Sequence, residues 1–170
     1  MRSPADRFSL ASLRPQLKPW RLHYFTRLGS TNDHAARLRR DGKLVAPSIG
    51  LASRQTRGRG RGSNRWHSPA GCLTVTFALP IDETRLPHQL PLIAGIAGRR
   101  AVARLIGSDQ LKLKWPNDLL HDDLKLAGLL CERVERVDLI GLGLNVNTDP
   151  RDTPSAVRDR VTSLRAITGR

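Results

Sequence analysis

Short apolar runs separated by polar turns dominate the chain, and most of these runs have the length of a β-strand. The clearest, GCLTVTFALP at residues 71–80, is largely apolar and predicts a buried strand. Residues 111–115 alternate apolar and basic side chains, which is typical of a strand with one wet face. Three further runs predict strands at residues 22–28, 49–53 and 137–146.

Two segments have helical spacing instead. Residues 91–106 place their apolar side chains three or four positions apart. A shorter segment with a modest apolar face lies between Ser30, whose hydroxyl can cap a helix, and residues 41–42. Residues 118–134 predict a hairpin with its polar turn at residues 121–123. Strands with two interposed helices and a closing hairpin indicate an α+β fold with a mixed, largely antiparallel sheet.

A length of 170 residues suits one domain that can bury its own core. Residues 1–19 contain three prolines and no clear apolar period, so we expect a loosely ordered N-terminal tail, with a transit peptide as the alternative. Residues 20–170 are expected to form the folded domain. No apolar run approaches the ~18 residues that cross a bilayer, which excludes a transmembrane protein.

The net charge of the chain favours anionic partners but does not identify one of them. The chain carries 29 Lys and Arg against 15 Asp and Glu, a formal net charge of +14, which attracts nucleic acid, acidic protein surfaces, nucleotide phosphates or anionic lipid. Cys72 and Cys131 lie in apolar runs and are interpreted as inert core thiols. Two cysteines cannot form a disulfide framework, so a reducing, cytoplasmic location is expected.

The segment QTRGRGRG at residues 55–62, followed by Trp66, is the first candidate for chemistry. Alternating glycines let a backbone approach an anion closely. Arg59 and Arg61 add forked donors that suit a phosphate or a carboxylate. The segment lacks the closing Gly-Lys-Ser/Thr of a P-loop. An inert solvated loop and an RGG-like nucleic-acid-binding stretch are the alternatives to a ligand site.

Three more motifs combine a turn or strand signal with polar side chains. Residues 114–118, KWPND, place a lysine, an amide and a carboxylate beside a tryptophan, although a plain turn would use the same Pro-Asn-Asp sequence. Lys125 opens an apolar strand, where its ammonium can either meet water or face an anion. Glycines within residues 141–146 indicate close approach by a ligand or by another chain segment, and Asn145 needs partners if it is buried.

Taken in order, these motifs resemble the biotin protein ligases, also called biotin–[acetyl-CoA-carboxylase] ligases. The resemblance covers about residues 20–149, and its most specific part is the KWPND block with Lys125 eleven residues beyond Lys114. The matching positions are Ser30-Thr31-Asn32, Gln55-Thr56, Gly58 to Gly62, Trp66, Ser68-Pro69, Gly71, Lys114 to Asp118, Lys125, Gly128 and Gly141 to Val146. The family implies a mixed sheet flanked by helices, related to class II aminoacyl-tRNA synthetases and lipoate ligases.

The resemblance implies an ATP-dependent ligase. Such an enzyme joins the biotin carboxylate to the α-phosphate of ATP, giving biotinyl-5′-AMP and pyrophosphate, and then transfers biotin to a lysine of a biotin carboxyl carrier domain. ATP with Mg²⁺ is implied as co-substrate, and no protein-bound metal is expected. Because two anions must share one site, fixed positive charge is the first requirement. We expect neither specific DNA binding nor association with a membrane. A homodimer is possible.

The resemblance also assigns roles to individual residues. Side chains expected to act on the reacting groups are Lys125, Arg59, Arg61 and Asp118. The expected biotin site comprises Ser30, Thr31, Gln55, Gly58, Arg59, Trp66, Lys125 and Gly128. The expected nucleotide site comprises Arg61, Lys114, Asn117 and Asn145.

Three features depart from the family pattern. The glycine-rich segment continues as Gly62-Ser63-Asn64, where the family usually continues Gly-Arg. No winged-helix domain is recognised before Trp20, so transcriptional repression is not expected. The family usually adds helices and a small C-terminal β-barrel beyond the position of Arg170, and we expect both to be missing here. The rival functions are a lipoate or octanoate ligase or transferase on the same fold, and an Arg-rich nucleic-acid-binding module.

Overall fold

One mixed sheet of seven strands forms the centre of the protein. The structure is a computed structural model that describes residues 8–107 and 110–169. The strands are β1 (Arg21–Phe25), β2 (Ser48–Ala52), β3 (Cys72–Pro80), β4 (Leu111–Lys114), β5 (Asp118–His121), β6 (Leu124–Val134) and β7 (Val137–Asn145). They lie in the order β1-β2-β3-β7-β6-β5-β4, with β1 parallel to β2 and every other neighbouring pair antiparallel. This topology confirms the predicted α+β class and its mixed, largely antiparallel sheet.

Helices cover both faces of this sheet. Within the described residues they are α1 (Leu10–Gln16), α2 (Thr31–Arg40), α3 (Leu90–Ile106), α4 (Ser155–Arg158) and α5 (Leu164–Thr168), with 3₁₀ turns at Pro87–Gln89 and Pro150–Asp152. As predicted, α2 begins after Ser30, whose Oγ accepts a hydrogen bond of 3.3 Å from the Asp33 N–H. None of these helices has the length and hydropathy needed to cross a bilayer.

The two faces of the sheet have different partners. Helix α2 packs on the face that carries Ala78, Val137 and Leu139. The opposite face carries Ala127 and Leu144 beneath α3 and α5. Because side chains alternate along β6 and β7, positions 128, 141 and 143 share the α2 face, and all three are glycines. A shallow strip without side chains therefore runs across the sheet beside α2.

The predicted hairpin at residues 118–134 is confirmed. Strands β5 and β6 pair antiparallel around Asp122 and Asp123, whose φ angles of 48° and 61° suit a tight two-residue turn. Strand β1 ends at Phe25, three residues before the predicted end. Beyond it, the Leu28 N–H donates to the Arg54 carbonyl at 3.0 Å. The chain thus leaves the sheet and runs beside the start of the glycine-rich segment.

The N-terminal region differs from the expectation of a loose tail up to residue 19. Residues 1–7 lie outside the described residues, but α1 is an ordered helix capped by Ser9. Leu13 and Leu17 pack with Trp20 against a buried cluster formed by Ile49, Leu51 and Val75. Within α1 itself only Leu13 belongs to this packing, and a single apolar position gives no periodic signal.

Replacing Leu13 should test this packing. Leu13→Ala removes a half-buried side chain from α1, and we expect the free energy of unfolding in urea to fall by about 1–2 kcal/mol, below the cost of a fully buried leucine. Arg14→Ala, an exposed change in the next residue, is the control and should stay within about 0.5 kcal/mol of the parent. Equal stabilities of the two variants would contradict the docking of α1.

Candidate functional site

A cavity of about 560 Å³ opens on the α2 face of the sheet, within the 300–1,000 Å³ range of small-molecule sites. Six segments that are distant in sequence line it: the start of α2, the glycine-rich segment, β3 at Val75, the KWPND turn, β6 and β7. The predicted site residues that line it are Ser30, Thr31, Gln55, Arg59, Arg61, Trp66, Asn117, Asp118, Lys125 and Gly128. The fold therefore brings together motifs that the sequence offers only separately.

The glycine-rich segment forms a small hairpin, here called the arginine hairpin (residues 58–66). Its rungs are the hydrogen bonds from the Trp66 N–H to the Gly58 carbonyl at 3.0 Å and from the Gly60 N–H to the Asn64 carbonyl at 2.8 Å. Gly58 does not line the cavity, but a Cβ there would lie 2.5 Å from the Trp66 carbonyl oxygen. Gly58 thus allows the two arms of the hairpin to approach each other.

The indole of Trp66 lies against the glycine strip. A Cβ added to Gly143 would lie 2.2 Å from Trp66 Cε2, and one added to Gly128 would lie 3.2 Å from Cζ3. This contact explains why an apolar strand contains these glycines, as the sequence indicated. The ring forms an aromatic wall of the cavity.

A polar network closes the cavity at the start of α2. Gln55 Oε1 accepts hydrogen bonds from the Thr31 N–H at 2.6 Å and from Thr31 Oγ1 at 3.0 Å. Thr76 Oγ1 lies 2.8 Å from Thr31 Oγ1 and 2.6 Å from Asn32 Oδ1. A Cβ on Gly141 would meet that Asn32 oxygen at 2.4 Å. Hydroxyl and amide groups are therefore held in fixed positions at this end.

Opposite charges are paired inside the cavity. Lys125 Nζ lies 2.7 Å from Asp118 Oδ1 and 5.8 Å from the centre of a Trp66 ring. Arg59 Nη2 lies 2.9 and 2.6 Å from the two Glu132 oxygens, while Arg59 Nε lies 2.7 Å from Asp33 Oδ1. Partial burial works to lower the pKa of the Arg59 guanidinium, but these carboxylates outweigh it and raise that pKa.

Arg61 and Arg65 line the same cavity without an ion pair to any described residue. Arg61 lies near the tip of the arginine hairpin, where its carbonyl accepts hydrogen bonds from Asn64, whereas Arg65 lies opposite Arg59 in the hairpin. Of the arginines that line the cavity, Arg61 and Arg65 thus carry uncompensated charge among the described residues, and Arg59 does not. These two guanidinium groups can attract an anion to the cavity.

Two residues assigned to the nucleotide lie outside the cavity lining. Asn145 is buried and donates from Nδ2 to the Thr162 carbonyl at 3.0 Å, so its amide joins β7 to the segment before α5. This bond meets the partner requirement that the sequence indicated for a buried Asn145. Lys114 lies exposed on the edge strand β4. Neither residue lies in the lining of this cavity, and their role in nucleotide binding stays a prediction.

Several lining residues were missed at the level of sequence. Asn32 belongs to the Ser-Thr-Asn match but received no role, although its Nδ2 donates to Glu132 Oε2 at 2.8 Å. Trp115 is 68% exposed at the cavity mouth, which is unusual for so large an apolar side chain. Arg65 had no distinguishing signal beyond its charge.

The cysteines take no part in this site. Burial raises the pKa of the Cys72 thiol to about 11 against the hydrogen bonds that lower it. Burial, with Asp138 and Glu132 nearby, raises the pKa of Cys131 to about 12. Both thiols are protonated at neutral pH, which fits their interpretation as inert core residues. No group of three or more His, Cys, Asp or Glu side chains in the described part of the chain could hold a metal ion.

Comparisons of the sequence and of the structure with known proteins agree with one another. The sequence model of the Biotin/lipoate A/B protein ligase family matches residues 24–149. The bifunctional ligase/repressor BirA of Bacillus subtilis is 34% identical over 167 residues, covering 92% of this chain and 50% of that protein. The chain therefore spans about half the length of this relative.

Two solved structures share the fold. The biotin protein ligase of Aquifex aeolicus in complex with biotin and ATP matches with a TM-score of 0.78 and 32% identity, covering 88% of this chain and 62% of that one. The biotin protein ligase of Leishmania major in complex with biotinyl-5-AMP matches with a TM-score of 0.74 and 28% identity, covering 89% of this chain and 66% of that one.

The contact between Trp66 and Gly143 can be tested directly. Gly143→Ala places a methyl group inside the indole, so the ring must move, and we expect a loss of about 1–3 kcal/mol in the free energy of unfolding. The near-ultraviolet circular dichroism of the tryptophans should change as well. Gly50→Ala is the matched control, since a Cβ in that strand meets nothing closer than 4.0 Å. Identical spectra and stabilities for Gly143→Ala and the parent would refute the contact.

Proposed function

Because the chain belongs to the biotin/lipoate A/B protein ligase family, we propose that it catalyses the ATP-dependent activation of biotin and its transfer to a lysine of a carrier domain. The observation that carries this proposal is the single cavity shared by Lys125, the arginine hairpin and the indole of Trp66. Similarity to biotin protein ligases solved with biotin and ATP, or with biotinyl-5-AMP, supports the choice of substrate.

The cavity offers each part of biotin a suitable surface. The polar network at Ser30, Thr31 and Gln55 provides fixed donors and acceptors for the ureido ring. The Trp66 indole provides an apolar wall for the thioether ring. These groups would direct the carboxylate of biotin towards Lys125. We therefore assign the inner half of the cavity to the vitamin.

The first step requires a carboxylate oxygen to attack the α-phosphorus of ATP, with pyrophosphate as leaving group. The two anions repel each other, so positioning and charge stabilisation dominate. Lys125 would bridge the carboxylate and the α-phosphate, and Arg61 would contact the phosphate from the hairpin tip. Asn117 lies beside them with its Nδ2 held by the Leu129 carbonyl at 2.7 Å. Mg²⁺ would enter as part of the ATP complex and keep several waters.

In the second step the amine of the acceptor lysine attacks the acyl carbon and AMP leaves. The amine must lose a proton, and Asp118 is the carboxylate at the site that can receive it. Its contact of 2.7 Å with Lys125 Nζ would keep the two groups together beside the reacting acyl phosphate. The acceptor is proposed to be a biotin carboxyl carrier domain.

The role of Lys125 is tested by isotope exchange. Lys125→Ala should reduce biotin-dependent pyrophosphate–ATP exchange by at least about a hundredfold, because the developing charge loses its main cation. Lys112→Ala is the matched control, since Lys112 lies on β4, is exposed and pairs with Asp123 outside the cavity. Thermal melts of both variants show whether the fold persists. Exchange retained in Lys125→Ala would disprove the assignment.

The role of Arg61 is tested by leakage of the intermediate. Arg61→Ala should release biotinyl-5′-AMP about tenfold faster, since a charge-assisted contact to the phosphate is lost. The reactive adenylate would then label lysines of a bystander protein, which streptavidin blotting detects. Arg57→Ala, an exposed change outside the cavity lining, serves as control. Selectivity equal to that of the parent in Arg61→Ala would contradict the proposed contact.

The function as a whole is tested by incubating the chain with biotin, Mg-ATP and a carrier domain and recording the intact mass of the carrier. A mass increase by one biotinyl group supports the proposal. Stabilisation against heat by lipoate and not by biotin would favour the lipoate ligase instead. Binding to DNA that falls steeply with added salt, together with no adenylate, would favour a nucleic-acid-binding module.

A further inference from the structure

Arg59 has two carboxylate partners on different elements of the fold. Glu132 lies on β6 and Asp33 in the first turn of α2, yet both contact the same guanidinium. Glu132 Oε2 also accepts a hydrogen bond of 2.8 Å from Asn32 Nδ2. Arg59 thus joins the arginine hairpin to a strand and a helix that are themselves tied together.

The contact lies at the base of the hairpin. The Gly60 and Trp66 N–H groups form rungs on either side of the Arg59–Arg65 pair. On one arm Trp66 is held by the glycine strip, and on the other Arg59 is held by Glu132 and Asp33. Fixing both arms at the base leaves the tip, with Arg61, positioned over the cavity.

The charges within this cluster do not favour a ligand role for Arg59. One guanidinium faces two carboxylates, so the group carries a formal charge of −1. An incoming carboxylate or phosphate would have to displace Glu132 and would be repelled by the acid left behind. Arg61, two residues further on, has no such partner among the described residues.

We infer that Glu132, assisted by Asp33, is a positioning residue that anchors the arginine hairpin through Arg59 before any ligand binds. The anion is then met by Arg61 and Lys125, while Arg59 acts within the protein. The anchoring itself is a property of the fold, whereas its effect on biotin activation rests on the proposed function. This assignment replaces the expectation that Arg59 supplies charge to the reaction.

A competing interpretation predicts the opposite effect of Glu132 on ligand binding. If Glu132 merely occupies Arg59 until biotin or phosphate displaces it, then removing the Glu132 charge would free the cation and strengthen ligand binding. If Glu132 anchors the hairpin, the same change would loosen the tip and weaken binding. Glu132→Gln, which retains size and hydrogen-bonding groups while losing the charge, distinguishes the two.

Hydrogen exchange measures the anchor without reference to catalysis. In Glu132→Gln the amides of Gly60 and Trp66 should lose about tenfold of their protection, as expected for one charge-assisted hydrogen bond, while those of β3 stay unchanged. Asp33→Asn should also lower the protection of these amides. It provides a second test of the anchor if Glu132→Gln folds poorly. Glu135→Gln is the matched control, because Glu135 pairs with Arg39 away from the cavity.

A double-mutant cycle then shows whether Glu132 acts through Arg59. In an Arg59→Gln background, Glu132→Gln should cause little further loss of protection, because its partner is already absent. An undiminished effect in that background would overturn the inference. So would protection in Glu132→Gln equal to that in Glu135→Gln.

Kinetics complete the test. In pyrophosphate exchange, Glu132→Gln should raise the KM for biotin about tenfold with kcat within about threefold, because an unanchored hairpin must be ordered at each binding event. A lower KM, or a loss confined to kcat, would overturn the positioning role. Complete inactivity of the parent chain would instead count against the proposed function, and hydrogen exchange would still decide the anchor.

Discussion

Gly143 and the indole of Trp66 approach each other so closely that a single methyl group on the strand would overlap the ring, and the cavity depends on this contact. The glycines at positions 128, 141 and 143 remove side chains from one face of β6 and β7, which turns part of a flat sheet into a shallow trough. Trp66 and Asn32 then enter the trough from the arginine hairpin and from α2. Packing at this density leaves little freedom to either segment, so a hairpin without strand partners in the sheet becomes a fixed wall.

Electrostatics at the site contrast with those of the chain as a whole. The protein carries a formal net charge of +14, yet two of its most prominent cavity cations, Arg59 and Lys125, are matched by carboxylates. Lys125 is the more buried of the two, and a partly buried cation is expensive to leave unpaired, because its loss of hydration must be offset by a nearby negative charge. Pairing also orients them. In the proposed reaction this orientation matters more than the amount of charge, since a misplaced ammonium cannot bridge two mutually repelling anions.

Local signals in the sequence were sufficient for most elements. The Ser30 cap, the helical spacing of residues 91–106 and the polar turn at residues 121–123 each depend on neighbours along the chain, and each is found as predicted. Helix α1 was missed because its stability comes from contact with Ile49, Leu51 and Val75, residues far away in sequence. Similarly, the sequence of residues 58–66 resembles that of a loop. Only its hydrogen bonds and its ion pairs with β6 and α2 show that it is an anchored hairpin.

The motifs themselves, their order and their residue types were determined by the sequence, and these carried the family resemblance and most of the cavity lining. Which charges face a ligand and which face one another was decided only by the tertiary structure. Arg59 and Arg61 are equivalent in the sequence, both following a glycine, but Glu132 and Asp33 converge on the first and not on the second. Asn145 needs a partner if it is buried, and only the fold shows that the Thr162 carbonyl is such a partner. Such partners lie tens of residues apart, and no local pattern encodes a distance between them.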